Sequence, residues 1–324
     1  MTFKRCAATA LTTLVFTLPS TSFADKEKPV SIRLDTGFIF SGSADNLNPD
    51  GSNKYLADLD SSADMEYTFL PIILPTAEWD VGQPGEVVLF FNSRRRIIDS
   101  AGGLIINIGA SYTAAGTAAF ELNLFSSFFD EVWENPYLTG EPRSSSDTTK
   151  YGLSLAAKDL FDSGFGLTIA YMDDDVEDDL LAEELPQLAR DGSVYALKAE
   201  YSHALSSSLS LGPQLTVIKG DYDGESSSYS MYTAGIQGTY RHGRLSITPE
   251  IYYGNREFDQ TNPVFDRTRE EDIYGLKAML FYRAPFGLQD WSLVTLLGYE
   301  KGESSIAFHD TEATSFGMFL SYSF

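Results

Sequence analysis

Histidine is the residue most often used for acid–base catalysis at neutral pH, and this chain of 324 residues has three: His203, His242 and His309. A hydrolytic site needs a histidine held beside a nucleophile or acidic partners. Only His309 has an adjacent carboxylate, Asp310, and a solvated loop dipeptide explains that pair better than a catalytic dyad. We predict that the protein is not an enzyme and has no catalytic residue.

Metal and cofactor chemistry has equally little support in the sequence. Cys6 is the only cysteine, and no group of ligand-type residues has the spacing of a known metal site. The densest run of charge, at 173–179, lacks the glycine and terminal glutamate of an EF-hand loop. A solvated loop with a short helix near 180–188 is the simplest interpretation, and loose divalent-cation binding beside lipopolysaccharide phosphates is the second. We predict no cofactor and no metal site.

A different set of charged residues could act on passing ions. Three consecutive arginines end one predicted strand, and a later loop at 126–148 holds Asp130, Glu131 and Glu134 among several aromatic side chains. A loop folded into a pore can set carboxylates against arginines at a constriction, but a loop that caps the outer rim explains the same residues equally well. The candidate constriction residues are Arg94, Arg95, Arg96, Asp130, Glu131 and Glu134.

The elements that must position these residues are strands with strict two-residue periodicity. In the last nine residues, Phe316, Met318, Leu320, Tyr322 and Phe324 share one face, and the other face is mostly polar. Alternate strand side chains point to opposite faces, so one face suits lipid and the other suits water. Fourteen such segments occur between 30 and 324, which predicts an all-β, transmembrane, antiparallel, up-and-down β-barrel of about 14 strands, with 12 or 16 as alternatives.

The connections between these segments alternate in length. Short turns fall near 82–85, 113–116, 159–164, 203–208, 241–244 and 284–290, and longer polar stretches separate the remaining pairs. This alternation is typical of barrels with periplasmic turns and extracellular loops. Tyrosines recur at outward-facing strand ends, as expected for an aromatic girdle at the lipid interface. They are Tyr112, Tyr171, Tyr201, Tyr240, Tyr253, Tyr282 and Tyr299.

The inward-facing positions of these strands are polar. A barrel of about 14 strands is wider than the eight-stranded barrels that side chains fill, so we expect a hydrated lumen. Two strand prolines, Pro213 and Pro249, each remove a ladder donor, and we expect bulges there. The predicted lumen-lining residues are Arg33, Asp35, Asn107, Glu121, Asn123, Lys150, Lys198, Glu200, Gln214, Gln237 and Glu250.

The N-terminal segment has the features of an export signal. Lys4 and Arg5 precede an apolar stretch at 7–18, and a small-residue site ends at Ala24. We therefore predict a signal peptide at 1–24, a barrel domain at 25–324 and location in the cell outer membrane. A C-terminal strand that ends on Phe324 resembles those read by the bacterial barrel-assembly machinery, which we expect to be a partner together with outer-membrane lipid and lipopolysaccharide.

The charge balance excludes one class of partner. The chain has 23 basic and 46 acidic residues, a formal net charge of −23, and removal of Lys4 and Arg5 with the signal peptide lowers this to −25. Such a surface repels nucleic acid. The sequence does not fix an oligomeric state, and we favour a monomer.

Four short motifs carry a resemblance to a known family. They are the residues at 133–140 (WENPYLTG), 190–192 (RDG), 262–265 (NPVF) with 268–270 (TRE), and 290–293 (DWSL). In these motifs the chain resembles a domain-of-unknown-function family of gammaproteobacterial outer-membrane proteins, over about 30–324. The resemblance implies a barrel in the outer membrane and transfers no functional residues.

These observations together predict a passive, porin-like channel for small hydrophilic solutes. The alternative is a non-conducting structural or adhesive surface barrel that presents acidic extracellular loops.

Overall fold

The computed structural model of the chain describes residues 29–49, 53–81, 86–93, 104–128 and 130–324. The predicted signal peptide at 1–24 lies outside the described residues, and so do Arg94, Arg95 and Arg96.

The described chain consists almost entirely of β-structure. The strands are β1 (Val30–Ala44), β2 (Glu66–Val81), β3 (Val87–Asn92), β4 (Leu104–Ala114), β5 (Ala118–Phe128), β6 (Asp130–Trp133), β7 (Ser145–Lys158), β8 (Phe165–Val176), β9 (Gly192–Tyr201), β10 (His203–Ala204), β11 (Leu209–Tyr222), β12 (Tyr229–His242), β13 (Leu245–Asn262), β14 (Arg267–Arg283), β15 (Trp291–Ser304) and β16 (Thr311–Ser323). One short helix, α1 (Leu180–Glu184), and four single 3₁₀ turns (Leu160–Asp162, Pro186–Leu188, Pro285–Gly287 and Ala307–His309) lie in the connections.

The strands close into a ring of antiparallel neighbours. Each strand pairs with the next along the chain, and β1 pairs with β16 from Arg33↔Ser323 to Ala44↔Glu312. Segments β5 and β6 both pair with β7, and β9 and β10 both pair with β11. The sixteen segments therefore form fourteen barrel strands, as the sequence predicts. Closure gives every strand two neighbours and so removes the unpaired edges that lipid could not satisfy.

The outer face of this ring is a lipid-facing belt. Large apolar side chains such as Ile108, Ile251 and Leu276 are exposed there. Exposed tyrosines mark both ends of the belt: Tyr232 and Tyr240 on β12, and Tyr274 and Tyr282 on β14. Eight residues of strand correspond to roughly 26 Å, close to the ~25 Å apolar band of outer-membrane barrels. The protein is a transmembrane β-barrel of the outer-membrane type.

Helices do not provide the membrane span. Among the described residues, none of the helices has the length and apolar character needed to cross a bilayer.

The extracellular ends of several strands run further than the sequence predicts. The stretch at 255–271 is expected to be a loop, but β13 continues to Asn262 and β14 starts at Arg267, which leaves a turn at 263–266. Strands that pair above the membrane need no apolar face, so their sequence is polar on both sides. Both faces of β15 are apolar, so its sequence does not show which one points inward. Val294 is buried, whereas Leu297 and Tyr299 on the other face are exposed, so the face of Val294 points inward.

The prediction of bulges at the two strand prolines is wrong. The β11–β12 register is continuous through Pro213, and the β13–β14 register shifts only between Glu257 and Thr261. Each proline instead coincides with a local gap in pairing. Pro249 faces the interval between Gln237↔Glu250 and Tyr240↔Ile247, and Pro213 lies where β9 and β10 are separate. Proline has no backbone N–H to donate to its neighbour, so the strand pairing is interrupted there without the inserted residue that a bulge requires.

Candidate functional site: the inner wall and the extracellular cap

The inner wall is the face opposite the lipid-facing belt, and its charged side chains pair with one another. Arg33 and Asp35 lie 3.4 Å apart on β1. Lys158 contacts Glu121 at 2.9 Å between β7 and β5, and Lys198 contacts Glu200 at 2.8 Å. At these positions inside the ring, the side chains of Lys158 and Glu200 keep exposures of 41% and 38%. Water therefore reaches the periplasmic part of the inner wall.

Three other predicted lumen-lining residues form an amide–carboxylate group. Gln214 donates its side-chain N–H to Glu250 Oε1 at 2.5 Å, and Gln237 donates to Glu250 Oε2 at 3.3 Å. Glu250 on β13 accepts from the adjacent strand β12 and from β11 beyond it, because the three strands are consecutive in the ring. Asn107 and Asn123, two of the three remaining predicted residues, are fully buried on β4 and β5.

Lys150 is the centre of a buried charge group near the extracellular end. Its Nζ lies 3.1 Å from Asp130 Oδ2. The strand register explains this contact: Ser126 pairs with Tyr151 but Asp130 pairs with Thr148, a shift of one residue that turns Asp130 inward. The structure thus brings one candidate constriction residue against one predicted lumen-lining residue.

The other two candidate constriction residues that the structure describes, Glu131 and Glu134, have different partners. Glu131 accepts a hydrogen bond from the hydroxyl of the exposed Ser145 at 2.7 Å. The main-chain oxygen of Glu134 accepts from Leu181 N at 3.0 Å and from Arg190 at 3.1 Å.

A second charge group on β13 and β14 is absent from the sequence-based prediction. Glu271 is buried between two arginines and accepts from Arg256 at 3.0 Å and from Arg269 at 2.5 Å. Each arginine also lies over an aromatic ring, Arg256 over Tyr229 and Arg269 over Phe258. The signal that could have found them is the inward row of β14: counted back from Lys277 in steps of two, it reaches 271 and 269.

The extracellular loops pack into a cap. We define the cap as the first loop (45–65), the third loop (134–144) and the turns at 263–266 and 305–310. Its apolar centre is Leu56, Ile306 and Phe308, with Tyr137 and Phe265 packed against them. The first and third loops exchange main-chain hydrogen bonds, from Gly140 N to Leu56 O at 2.9 Å and from Arg143 N to Lys54 O at 2.7 Å.

The third loop reaches across the barrel mouth. Its Tyr137 accepts a hydrogen bond from Asn262 Nδ2 at 3.2 Å, and its ring contacts Phe265 and Phe308. The third loop leaves the ring between β6 and β7, and Asn262 ends β13. By the strand order, six strands separate these two connections on one side and eight on the other. They are nearly opposite, so contact between them requires a loop that crosses the opening.

A buried arginine holds the first and third loops together. Arg143 is fully buried and donates to the main-chain oxygens of Asn46 and Pro136, both at 2.8 Å, and of Asn53 at 3.1 Å. Its guanidinium carbon lies 4.2 Å from the ring centre of Trp133. Burial lowers the pKa of Arg143 to about 10, so the group stays charged at neutral pH. The planar guanidinium, with five N–H donors, can serve three carbonyls at once.

His309 lies in the cap, 1% exposed, with the hydroxyl of Tyr137 3.3 Å from its Nε2. That hydroxyl accepts from Asn262, and its hydrogen bond with Nε2 runs in the direction that the imidazole tautomer sets. Nδ1 has no hydrogen-bond partner among the described residues. Burial and the nearby Arg269 hold the pKa of His309 well below its usual range. Burial likewise raises the pKa of Tyr137, so both groups are neutral at pH 7.

With this geometry in place, the chain can be compared with known proteins. The family model described as "Protein of unknown function (DUF2860)" matches residues 30–323. The chain belongs to this family. The match covers the whole barrel from β1 to β16, including the four motifs that carry the resemblance.

Solved structures similar to this chain include three outer-membrane proteins. The loop L8 deletion mutant of OmpT from Vibrio cholerae has a TM-score of 0.42 and 9% identity, and the match covers 92% of this chain and 100% of that one. An anion-selective porin from Comamonas acidovorans has a TM-score of 0.41 and 10% identity, and the match covers 91% of this chain and 99% of that one. The channel DcaP of Acinetobacter baumannii has a TM-score of 0.39 and 12% identity, with coverage of 93% of this chain and 99% of that one. A search of curated proteins finds no match.

Proposed function

We propose that the protein is a passive channel for small hydrophilic solutes, with an extracellular mouth that the cap covers in this state. The observation that carries the proposal is the solvent exposure of charged side chains inside the ring, Lys158 at 41% and Glu200 at 38%. A side chain that faces inward and still meets water favours a hydrated bore over a packed core. Fourteen strands give a ring wide enough for one.

A non-conducting surface barrel is the second candidate, and the cap is the observation that favours it. Tyr137 joins loops from nearly opposite sides of the mouth. In addition, the inner rows of β4 and β5 change from partly exposed at their periplasmic ends to buried at Ile105 and Phe125. A permanent cap would leave the periplasmic cavity as a dead end.

Planar-bilayer recording of the refolded protein separates the two candidates. We expect ohmic current steps from the wild type, and more frequent or larger steps from Tyr137→Ala, because this change removes the contacts with Asn262, His309 and Phe265 that bridge the mouth. The matched control is Tyr55→Ala, an exposed tyrosine of the first loop, which should behave as wild type. Silence from both the wild type and Tyr137→Ala, with folding verified by heat-modifiable gel mobility, would overturn the proposal and favour the surface barrel.

A further inference from the structure

An uncharged polar ridge crosses the inner wall of five neighbouring barrel strands. We call the side chains of Thr76, Asn92, Asn107, Asn123 and Ser154 the amide ridge. Asn92 pairs with Asn107 between β3 and β4, and Asn123 pairs with Ser154 between β5 and β7. All five residues are buried. The ridge contains no charged member, unlike the rest of the inner wall.

Two members of the ridge have unused hydrogen-bonding atoms. Neither Oδ1 nor Nδ2 of Asn123 has a partner among the described residues, and neither does Oδ1 of Asn92. Native proteins rarely leave buried amides unpaired, so each such group calls for an explanation in water, a ligand or function. Here two donor hydrogens and two acceptor oxygens lie on the wall of a transmembrane barrel.

Aromatic rings flank the ridge on both sides. Phe90 precedes Asn92 by two residues in the same inward row, and its ring fills the space above Gly109 that a side chain there would need. Phe125 follows Asn123 by two residues in its row, and its ring does the same above Gly152. The glycines thus let both rings lie against neighbouring strands, one on the periplasmic side of the ridge and one on the extracellular side.

We propose that the amide ridge is a binding site for neutral polyhydroxylated solutes, the chemistry of carbohydrates. A hydroxyl group both donates and accepts, as an amide does, and the apolar C–H face of a sugar ring can rest on Phe90, which is partly exposed. The five ridge side chains carry no charge, so an ion at Asn123 would lose hydration without compensation from them. Arg33, which donates to Thr76 Oγ1 at 3.4 Å, brings a charge to the β2 end of the ridge. This inference deepens the proposed function, because the solute reaches the ridge through the lumen, and the covered mouth must open first.

Calorimetric titration of refolded Tyr137→Ala protein with maltotriose tests the site without a need for current. We expect measurable binding, and a loss of about tenfold or more in affinity in the added variants Asn123→Leu and Asn92→Leu, because leucine matches asparagine in size but cannot pair with a hydroxyl. Gln214→Leu, the same change at an amide on β11, is the matched control and should bind as the parent does. Replacement of a buried unpaired amide by leucine should not unfold the barrel.

The outcomes separate the site from the channel. Equal binding in Asn123→Leu and in its parent, or no binding of maltotriose to either, would overturn the inference even if ion conductance is normal. Trilysine, a charged probe of comparable length, should not bind at the ridge, and tight binding of trilysine that Asn123→Leu abolishes would also overturn the inference. Maltotriose binding without any conductance would support the site and contradict the channel.

Discussion

At the scale of single residues, two phenylalanines on the periplasmic turns have unusual backbones. Phe161 and Phe286 both have φ of 55°, in the left-handed region. Both side chains are exposed, and that of Phe286 is completely so. A bulky residue with positive φ is an outlier, and neither ring gains a packed contact that would offset the strain.

Replacement of Phe286 by glycine should stabilise the barrel. Glycine adopts positive φ without the steric penalty of about 1–2 kcal/mol, and its larger unfolded-state entropy cancels part of that gain. We expect the free energy of unfolding in urea, measured in lipid vesicles, to rise by about 0.5–1 kcal/mol. Phe286→Ala is the control, since it removes the ring and keeps the strained φ. An equal loss of stability in both variants would show instead that the ring contacts lipid.

At the scale of elements, the cap is a folded unit made only of connections. Its parts are distant in sequence, with Tyr137 and His309 separated by 172 positions. The sequence predicts the loops from which it forms, and the short helix expected near 180–188 is confirmed as α1 (Leu180–Glu184) with a following 3₁₀ turn (Pro186–Leu188). No local pattern predicts that the loops meet, because each one is polar and rich in turn residues when considered alone.

The cap should loosen as the pH falls below about 6.5. In the packed cap the pKa of His309 is depressed, whereas in an opened cap His309 titrates near 6.5. The opened cap therefore takes up a proton first, and packing is fully favoured only above that pH. Asp45 acts in the opposite direction. Burial in the packed cap raises the pKa of Asp45, so its protonation at lower pH favours packing.

Acrylamide quenching of Trp133, which is buried under Arg143, measures this loosening in a variant without Trp79 and Trp291. Quenching should increase from pH 7.5 to pH 5.5, and His309→Gln should remove most of the increase. His203→Gln, a change to an exposed histidine at the other end of the barrel, should have no effect. A rise of the same size in His309→Gln would show that His309 does not cause the transition.

At the scale of the whole molecule, the acidic excess is concentrated at one end. The described residues of six of the extracellular connections, at 45–65, 134–144, 177–191, 223–228, 263–266 and 305–310, contain 16 carboxylates and 3 basic groups. The inner wall, by contrast, pairs its charges. A solute approaching from outside therefore meets a strongly negative field before it meets a balanced one.

This field should make an open channel prefer cations. Charged mouths concentrate counter-ions within about a Debye length, near 10 Å at 0.1 M salt. In a KCl gradient we expect a reversal potential with the sign that preference for K⁺ over Cl⁻ produces. Its magnitude should fall once Asp178, Glu183 and Glu184 are replaced by amides. The effect should fade in 1 M salt.

The control for selectivity carries the same change of charge at the opposite end. Amide replacements of Glu86, Asp162 and Asp290, on the periplasmic turns, should shift the reversal potential less. Anion preference in the wild type would contradict the field argument and would place selectivity at the arginines of the inner wall.

Phe324 lies beside the seam where β1 and β16 close the barrel. Phe324 N donates to Ile32 O at 2.9 Å, and its ring is exposed beside Tyr322. Phe324→Asp should therefore leave detergent refolding in vitro nearly unchanged, since the main-chain bond persists. If the assembly machinery reads the terminal ring, the same variant should be depleted from the outer membrane of cells, as measured by immunoblot of membrane fractions. Equal recovery of Phe324→Asp and Phe324→Tyr would contradict that partner.

From the sequence alone we predict a barrel of about 14 strands, with 12 or 16 as alternatives, and an alternation of short turns and longer loops. These follow from the two-residue period of each strand and from the position of its neighbours along the chain, both of which are local properties. Only the tertiary structure decided that Tyr137 crosses the mouth to Asn262 and that His309 loses contact with water. The same holds for Glu271 between two arginines and for the amide ridge across five strands. Those features depend on register and on ring closure, which decide which inward-facing side chains of different strands and loops meet, and the pattern of a single segment does not show its partner.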